Sequence, residues 1–216
     1  MSRLAIQKGL IVSFLIVVAV VSLLLPTQAY YLNASEPITK GSNGYSCVYL
    51  LTFKHESLMP YLKTKESKHG LYLIDLPFME RNPDVIELLV EENHAIGLVT
   101  SSNTKEFNAA AFKKELDQFT AEIGSPPLWA TTMNGEFDEK LLQVSHAAAI
   151  NMIAANVYFK PSLAATTLPK GSFVFINGDQ HFDFNSKEHI QLVTSAQIRS
   201  IEENVFNIKT NKNNMP

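Results

Sequence analysis

Cysteine is nearly absent from this 216-residue chain. Cys47 stands alone, so neither an intrachain disulfide nor a cysteine-rich metal site can form. A basic surplus is lacking too. The formal charge is −3, and −5 once Arg3 and Lys8, the only charged side chains of the first 29 residues, are set aside. A mildly acidic body without a basic stripe offers nucleic acid no footing. There is no Ser-His-Asp order with a nucleophile-elbow signature and no phosphate-binding glycine loop. Internal repeats are also missing. What is present is 46% hydrophobic residues, enough for one domain with a sizeable core. Cys47 lies in the apolar run 47–51 and reads as a buried structural thiol.

The N-terminus carries the clearest local signal. Arg3 and Lys8 precede a stretch from Gly9 to Leu25 without a charge, Pro26 then breaks the helix, and Thr27, Gln28 and Ala29 supply small residues at cleavage positions. As a helix the stretch would span roughly 25 Å, short for a bilayer but tolerable. Residues 1–29 therefore fit either a membrane anchor or a signal cleaved after Ala29. The positive residues precede the segment, so the remainder is expected on the extracytoplasmic side, with the membrane as a partner if the helix stays. Residues 30–45, with Ser35, Pro37, Gly41, Ser42, Asn43 and Gly44, read as a linker. Within them, Asn33-Ala34-Ser35 matches a glycosylation acceptor that matters only in a eukaryotic secretory route.

Residues 46–209 read as one α/β domain, followed by an unstructured tail over 210–216. Strand-like runs fall near 46–53, 70–76, 94–100, 128–133, 149–154, 172–177 and 204–209. Asn82 with Pro83 opens a helix whose buried face holds Val85, Ile86, Leu88 and Leu89. Asn108 caps another, with Phe112, Leu116, Phe119 and Ile123 at helical spacing and Gly124 at its end. Asp138 caps a third through Leu141, Leu142 and Val144, and a fourth is expected from about Ser186 to Glu203. Alternating strands and helices predict a mainly parallel sheet covered by helices, as a barrel or an open sheet.

From Val48 to Ile208 the order of elements resembles a polysaccharide deacetylase domain of the NodB-homology type. The best stretch, Pro83 to Thr100, is similar to that family's helix leading into G-H-x-I-G-x-H-T-x-x-H. Asn93 stands at the family glycine, and asparagine also tolerates the left-handed conformation that ends a helix. Tyr49-Leu50-Leu51-Thr52-Phe53 resembles the strand bearing T-F-D-D-G, the strand over 70–74 resembles A-T-F-F-V, and 168–177 resembles the late strand ending in a catalytic histidine. The resemblance implies a distorted (β/α) barrel of about seven strands.

It also implies that the chemistry is gone. Family enzymes use a metal-bound water to attack an N-acetyl carbonyl. The two aspartates of the first motif align with Lys54 and His55, and the two metal-binding histidines with Val99 and Asn103. Lysine repels a divalent cation and valine has no lone pair, so no metal and no cofactor is expected. The family arginine aligns with Ala130, and the late histidine, a general acid, with Asn177. The implied protein is a pseudoenzyme without catalytic residues. His94 matches a family histidine that is not a ligand and reads as the hydrogen-bonded start of a buried strand.

Other candidates stand outside that alignment. His55 at the end of a first barrel strand would face the mouth, where such barrels place function. Asp179, His181 and Asp183 would share one side if extended, although Gly178 before them favours a turn. Trp129, Phe182 and Phe184 are aromatic enough to stack on sugar rings, or to pack in a core. Three readings follow: an inactive deacetylase-like domain that binds glycan or a protein partner in a groove lined by His55, Trp129 and Asn177; an active hydrolase with a site rebuilt from His55, His181 and nearby acids; or a structural module whose mouth is filled by Val99 and Met133.

Overall fold

The computed structural model describes residues 36–101 and 107–207. All belong to the compact unit Tyr31–Pro216; the other unit, Met1–Tyr30, and with it the export segment, lies outside the described residues. No helix among the described residues is long and apolar enough to cross a membrane.

Strand β1 (Tyr45–Leu51) is apolar on both faces, as a central parallel strand requires. Parallel partners extend the sheet on either side: β2 (Leu71–Ile74), β3 (Ala95–Thr100), β4 (Trp129–Thr132) and β5 (Asn151–Met152) on one, β7 (Ser172–Gly178) and β6 (Val157–Tyr158) on the other. The order is therefore β5-β4-β3-β2-β1-β7-β6. A flat sheet of that width would separate its edges by about 29 Å, yet the few residues joining β5 to β6 reach only about 17 Å. The sheet must curl. One extended stretch closes it, pairing with β4 through Ile153 N–H to Ala130 O (2.9 Å) and with β7 through Phe159 N–H to Phe175 O (2.8 Å). This is the distorted seven-stranded β/α barrel of the expectation.

Alternation sorts the strand residues into two cores. Val48, Leu71, Leu73, Val99, Trp129, Phe173 and Phe175 pack together inside. Gly97 sits among them because a Cβ there would lie 2.5 Å from Trp129 O and 2.6 Å from Leu73 Cδ2. Cys47, Tyr49, Leu51, Tyr72, Ile74, Leu98, Ala130, Val174 and Ile176 face the helices instead. These are α1 (Leu58–Leu62), α2 (Leu76–Arg81), α3 (Pro83–Glu91), α4 (Ala109–Ile123), α5 (Glu139–Ala147), α6 (Lys187–Val193) and α7 (Ile201–Phe206). The expected caps hold at Asn108, which accepts from Ala110 N and Ala111 N, and at Asp138, which accepts from Lys140 N. Gly124 and Asn93 take the left-handed conformation. Asn82 does not cap α3 with its side chain; its amide donates to Phe78 O and closes α2.

Three expectations need correcting. The helix expected from Ser186 to Glu203 is two helices, because residues 197–199 run beside the start of β1, with Arg199 N–H bonded to Tyr45 O at 2.8 Å. Ser200 and Glu203 then form a capping box that starts α7, so 204–206 continue a helix rather than the expected strand. The linker residues from Glu36 onward are docked: Ile38 bonds Met152 O (2.8 Å) and accepts from Ala154 N (3.0 Å), and Gly41 N–H reaches Gly171 O (2.8 Å). Asn204 pins this segment, accepting from Asn43 N (3.1 Å) while its amide donates to Ser46 Oγ (3.1 Å) and Ser172 O (3.3 Å).

Candidate functional site

Parallel strands all end at one mouth, and in such barrels the side chains at those ends meet across it. Here they enclose a cleft of about 350 Å³. Thr52 follows β1, Asp75 follows β2, Val99 is the penultimate residue of β3, Thr132 ends β4 and Met133 follows it, Tyr158 ends β6 and Asn177 lies in β7; Leu50 and Phe175 form apolar wall. Tyr158 is 63% exposed and Met133 49%, and Phe53, next to Thr52, is 46% exposed. Three of the five exposed large hydrophobic side chains of the described residues thus gather at this end.

Polar groups in the cleft are few. Asp75 caps α2 by accepting from Phe78 N at 2.7 Å through Oδ1, leaving Oδ2 without a hydrogen-bond partner among the described residues. The Asn177 amide donates to Asp179 Oδ2 at 3.0 Å. Thr132 is 4% exposed, and its hydroxyl has no hydrogen-bond partner among the described residues.

Of the residues singled out from sequence, Val99, Met133 and Asn177 are at the cleft. The others are not. Lys54 turns outward to Asp84, holding that carboxyl below its usual range by hydrogen bonding and charge. His55 is half-buried beside the cleft wall, its Nδ1 2.7 Å from Ser57 Oγ and accepting from Ser57 N at 3.1 Å; Ser57 Oγ accepts from Phe184 N at 3.0 Å. Ala130 points to the helix layer. Trp129 is buried at the opposite end, where its indole N–H donates to Glu202 Oε1 at 3.0 Å and its ring lies 5.6 Å from Phe206. Asn103 lies outside the described residues.

The Asp179–Asp183 segment is a turn and does not align its ligands. Asp179 accepts from His181 N at 2.8 Å, Asp183 from Asn185 N at 2.9 Å, and the latter bond holds the Asp183 carboxyl below its usual range. His181 is exposed beside Gln180 (3.2 Å). Phe182 and Phe184 are core, packed against His189 at 5.2 and 5.6 Å. His94 donates through Nε2 to Leu62 O at 2.8 Å in a buried setting that lowers its pKa.

A divalent ion needs several oxygen or imidazole donors in one place. Among the described residues no group of three or more His, Cys, Asp or Glu converges to hold one. The cleft lining supplies a single carboxylate and no imidazole, so it does not fit the metal that the resemblance brings to mind. The sequence reading missed Thr52, Asp75, Thr132 and Tyr158. For Asp75 a signal was available: an aspartate directly after an apolar run and two residues before Pro77 marks the end of a strand and the start of a helix.

No family model matches the sequence, and no curated protein matches it. Solved structures do. The chain is similar to wild-type BA3943 of Bacillus anthracis, described as a CE4 family pseudoenzyme, with TM-score 0.61 and 13% identity over 74% of this chain and 63% of that one. It is similar to PdaA of Bacillus subtilis, a family 4 carbohydrate esterase (TM-score 0.61, 16% identity, 80% and 86% covered). A third is the chitin deacetylase of the fungal pathogen Colletotrichum lindemuthianum (TM-score 0.61, 14% identity, 83% and 96% covered). The chain thus spans less than two thirds of the pseudoenzyme's length. The fold is that of the family 4 carbohydrate esterases.

Proposed function

We propose that this chain is a non-catalytic domain of the carbohydrate-esterase fold that binds an amino-sugar glycan in its mouth cleft, on the extracytoplasmic side of the membrane. The observation that carries this reading is the donor set of the cleft: Leu50, Val99 and Phe175 form wall, and among the described residues the only carboxylate is Asp75. That lining offers too few donors to hold an activating ion and no imidazole to serve as a base, while exposed Tyr158 offers a ring face for a pyranose. The glycan class comes from two solved neighbours, one described as a peptidoglycan N-acetylglucosamine deacetylase and the other as a chitin deacetylase. The location rests on the charge asymmetry of residues 1–29.

A rebuilt hydrolase is disfavoured because His55 and His181 have separate partners, Ser57 and Gln180. A filled mouth is disfavoured because Val99 and Met133 line the cleft but leave its volume open. The test pairs two measurements on the full chain: calorimetric titration with N-acetylglucosamine and glucosamine oligomers, and acetate release from the acetylated oligomer with zinc or cobalt added. Binding without release is expected. Zinc-dependent turnover would overturn the reading.

A further inference from the structure

Charge, rather than shape, distinguishes this cleft from a neutral sugar groove. Asp75 is the only charged side chain lining it, and no lysine, arginine or histidine does so among the described residues. Lys54, the cation following β1, is held by Asp84 on α3, and Asp75 has no counter-ion among the described residues. Asp75 Oδ1 is committed to Phe78 N, but Oδ2 has no hydrogen-bond partner among the described residues. On β7, the cleft residue Asn177 donates its amide to a second carboxylate, Asp179. Walls of Leu50, Val99 and Phe175 lower the local dielectric and strengthen the field of the uncompensated carboxylate.

Resting on the glycan-binding reading above, we propose that the cleft selects amino sugars by charge, taking a glycan with free, protonated amines in preference to its N-acetylated counterpart. An ammonium group donates to Asp75 Oδ2 and supplies the missing positive charge. An N-acetyl group offers the same cleft only a neutral amide, and an anionic glycan is repelled. The reaction class that supplies such a ligand is hydrolysis of the N-acetyl amide, releasing acetate and leaving the amine. The domain thereby binds the product of the chemistry that its solved neighbours are described as performing.

The experiment titrates the full chain with fully deacetylated and fully acetylated β-1,4-linked glucosamine oligomers of equal length, at low and high salt, and below and above the amine pKa. The wild type is expected to bind the deacetylated oligomer about threefold to tenfold more tightly at low salt, with the difference shrinking in high salt. Deprotonating the amine abolishes the preference. Asp75→Asn keeps an N-cap residue of equal quality, so the fold is retained while the charge is removed, and the two oligomers become equal. Equal binding by the wild type overturns the charge selection and leaves the glycan-binding function standing. A preference that survives Asp75→Asn overturns the assignment to this residue. Binding of neither oligomer overturns both.

Discussion

His189 shows how a single buried side chain sets the response of this fold to acid. It is fully buried, with Nδ1 2.7 Å from Phe184 O and Nε2 2.8 Å from Tyr49 Oη, which lies 2.7 Å from Tyr61 Oη. A carbonyl only accepts, so Nδ1 carries the proton, Nε2 accepts from Tyr49, and Tyr61 donates to Tyr49. Burial pushes the His189 pKa down from 6.5 to about 4. The unfolded chain therefore binds a proton that the folded chain refuses between those values. Stability is complete above pH 6.5 and is lost as pH falls toward 4, by roughly 3 kcal/mol when the loss is complete. Urea midpoints measured from pH 7 to 4 should fall accordingly, and His189→Gln should flatten part of the slope, the remainder belonging to His94, which is lowered in the same sense. Cys47 gives a second expectation at this scale. It is fully buried and its thiol is pushed up to about 12 by burial, so a thiol-specific reagent should leave the native protein unmodified and react once it unfolds.

Elements that meet at the seam of the barrel are less redundant than those along the sheet. Gly41 packs so closely on α7 that a Cβ would fall 2.3 Å from Asn204 Oδ1 and 2.5 Å from its backbone oxygen. Gly41→Ala should lower the unfolding free energy by about 1–3 kcal/mol, and Asn204→Ala, which strands three buried or half-buried partners, by a similar or larger amount. Thermal melts of both variants beside wild type would check this; an unchanged melting temperature would mean that residues 36–44 are the loose linker their composition suggests. Composition misled here because Gly41, Ser42 and Asn43 are small and polar for close approach to Asn204, and Gly44 for close approach to Gln197 O, rather than for flexibility. Long periodic helices such as α4 were readable, because Asn108, Phe112, Phe119 and Gly124 report one local pattern. The division between α6 and α7 was not, because it depends on Tyr45, far away in sequence, taking the backbone groups of residues 197 and 199. Only the Ser200–Glu203 box gave local notice of it.

For the molecule as a whole, a curled parallel sheet gathers residues from β1, β2, β3, β4, β6 and β7 into one cleft. Part of that gathering was legible. Val99 and Asn177 were placed by the order of motifs, whereas Trp129, Ala130, Lys54 and His55 were not, since a strand reverses its facing at every residue and a loop obeys no period. Trp129 faces inward yet sits at the far end, and Ala130 faces out; neither fact follows without knowing how far along β4 the mouth lies. Two expectations belong at this scale. Tyr158→Ala should keep the melting temperature, because the side chain is largely exposed, while weakening glycan binding about twofold to tenfold through loss of ring stacking. Zinc should leave the melting temperature of the wild type unchanged, whereas a ligand bound only by the folded state raises it. A zinc-dependent rise abolished by His55→Ala would contradict the donor-poor cleft described above.

The seam has a mechanical consequence. Among the described residues, the backbone preceding β1 is first hydrogen-bonded to the barrel at Ile38, where two bonds to the closing stretch take up tension applied from upstream. Because Ile38 runs parallel to its partner, those bonds are loaded side by side in shear rather than peeled one at a time. The bond from Gly41 to Gly171 and the Asn204 clamp stand next in line, ahead of the central strand. A tethered copy of this domain would feel force at its latch before its sheet, and single-molecule pulling from the N-terminus should show a small early step that Asn204→Ala removes.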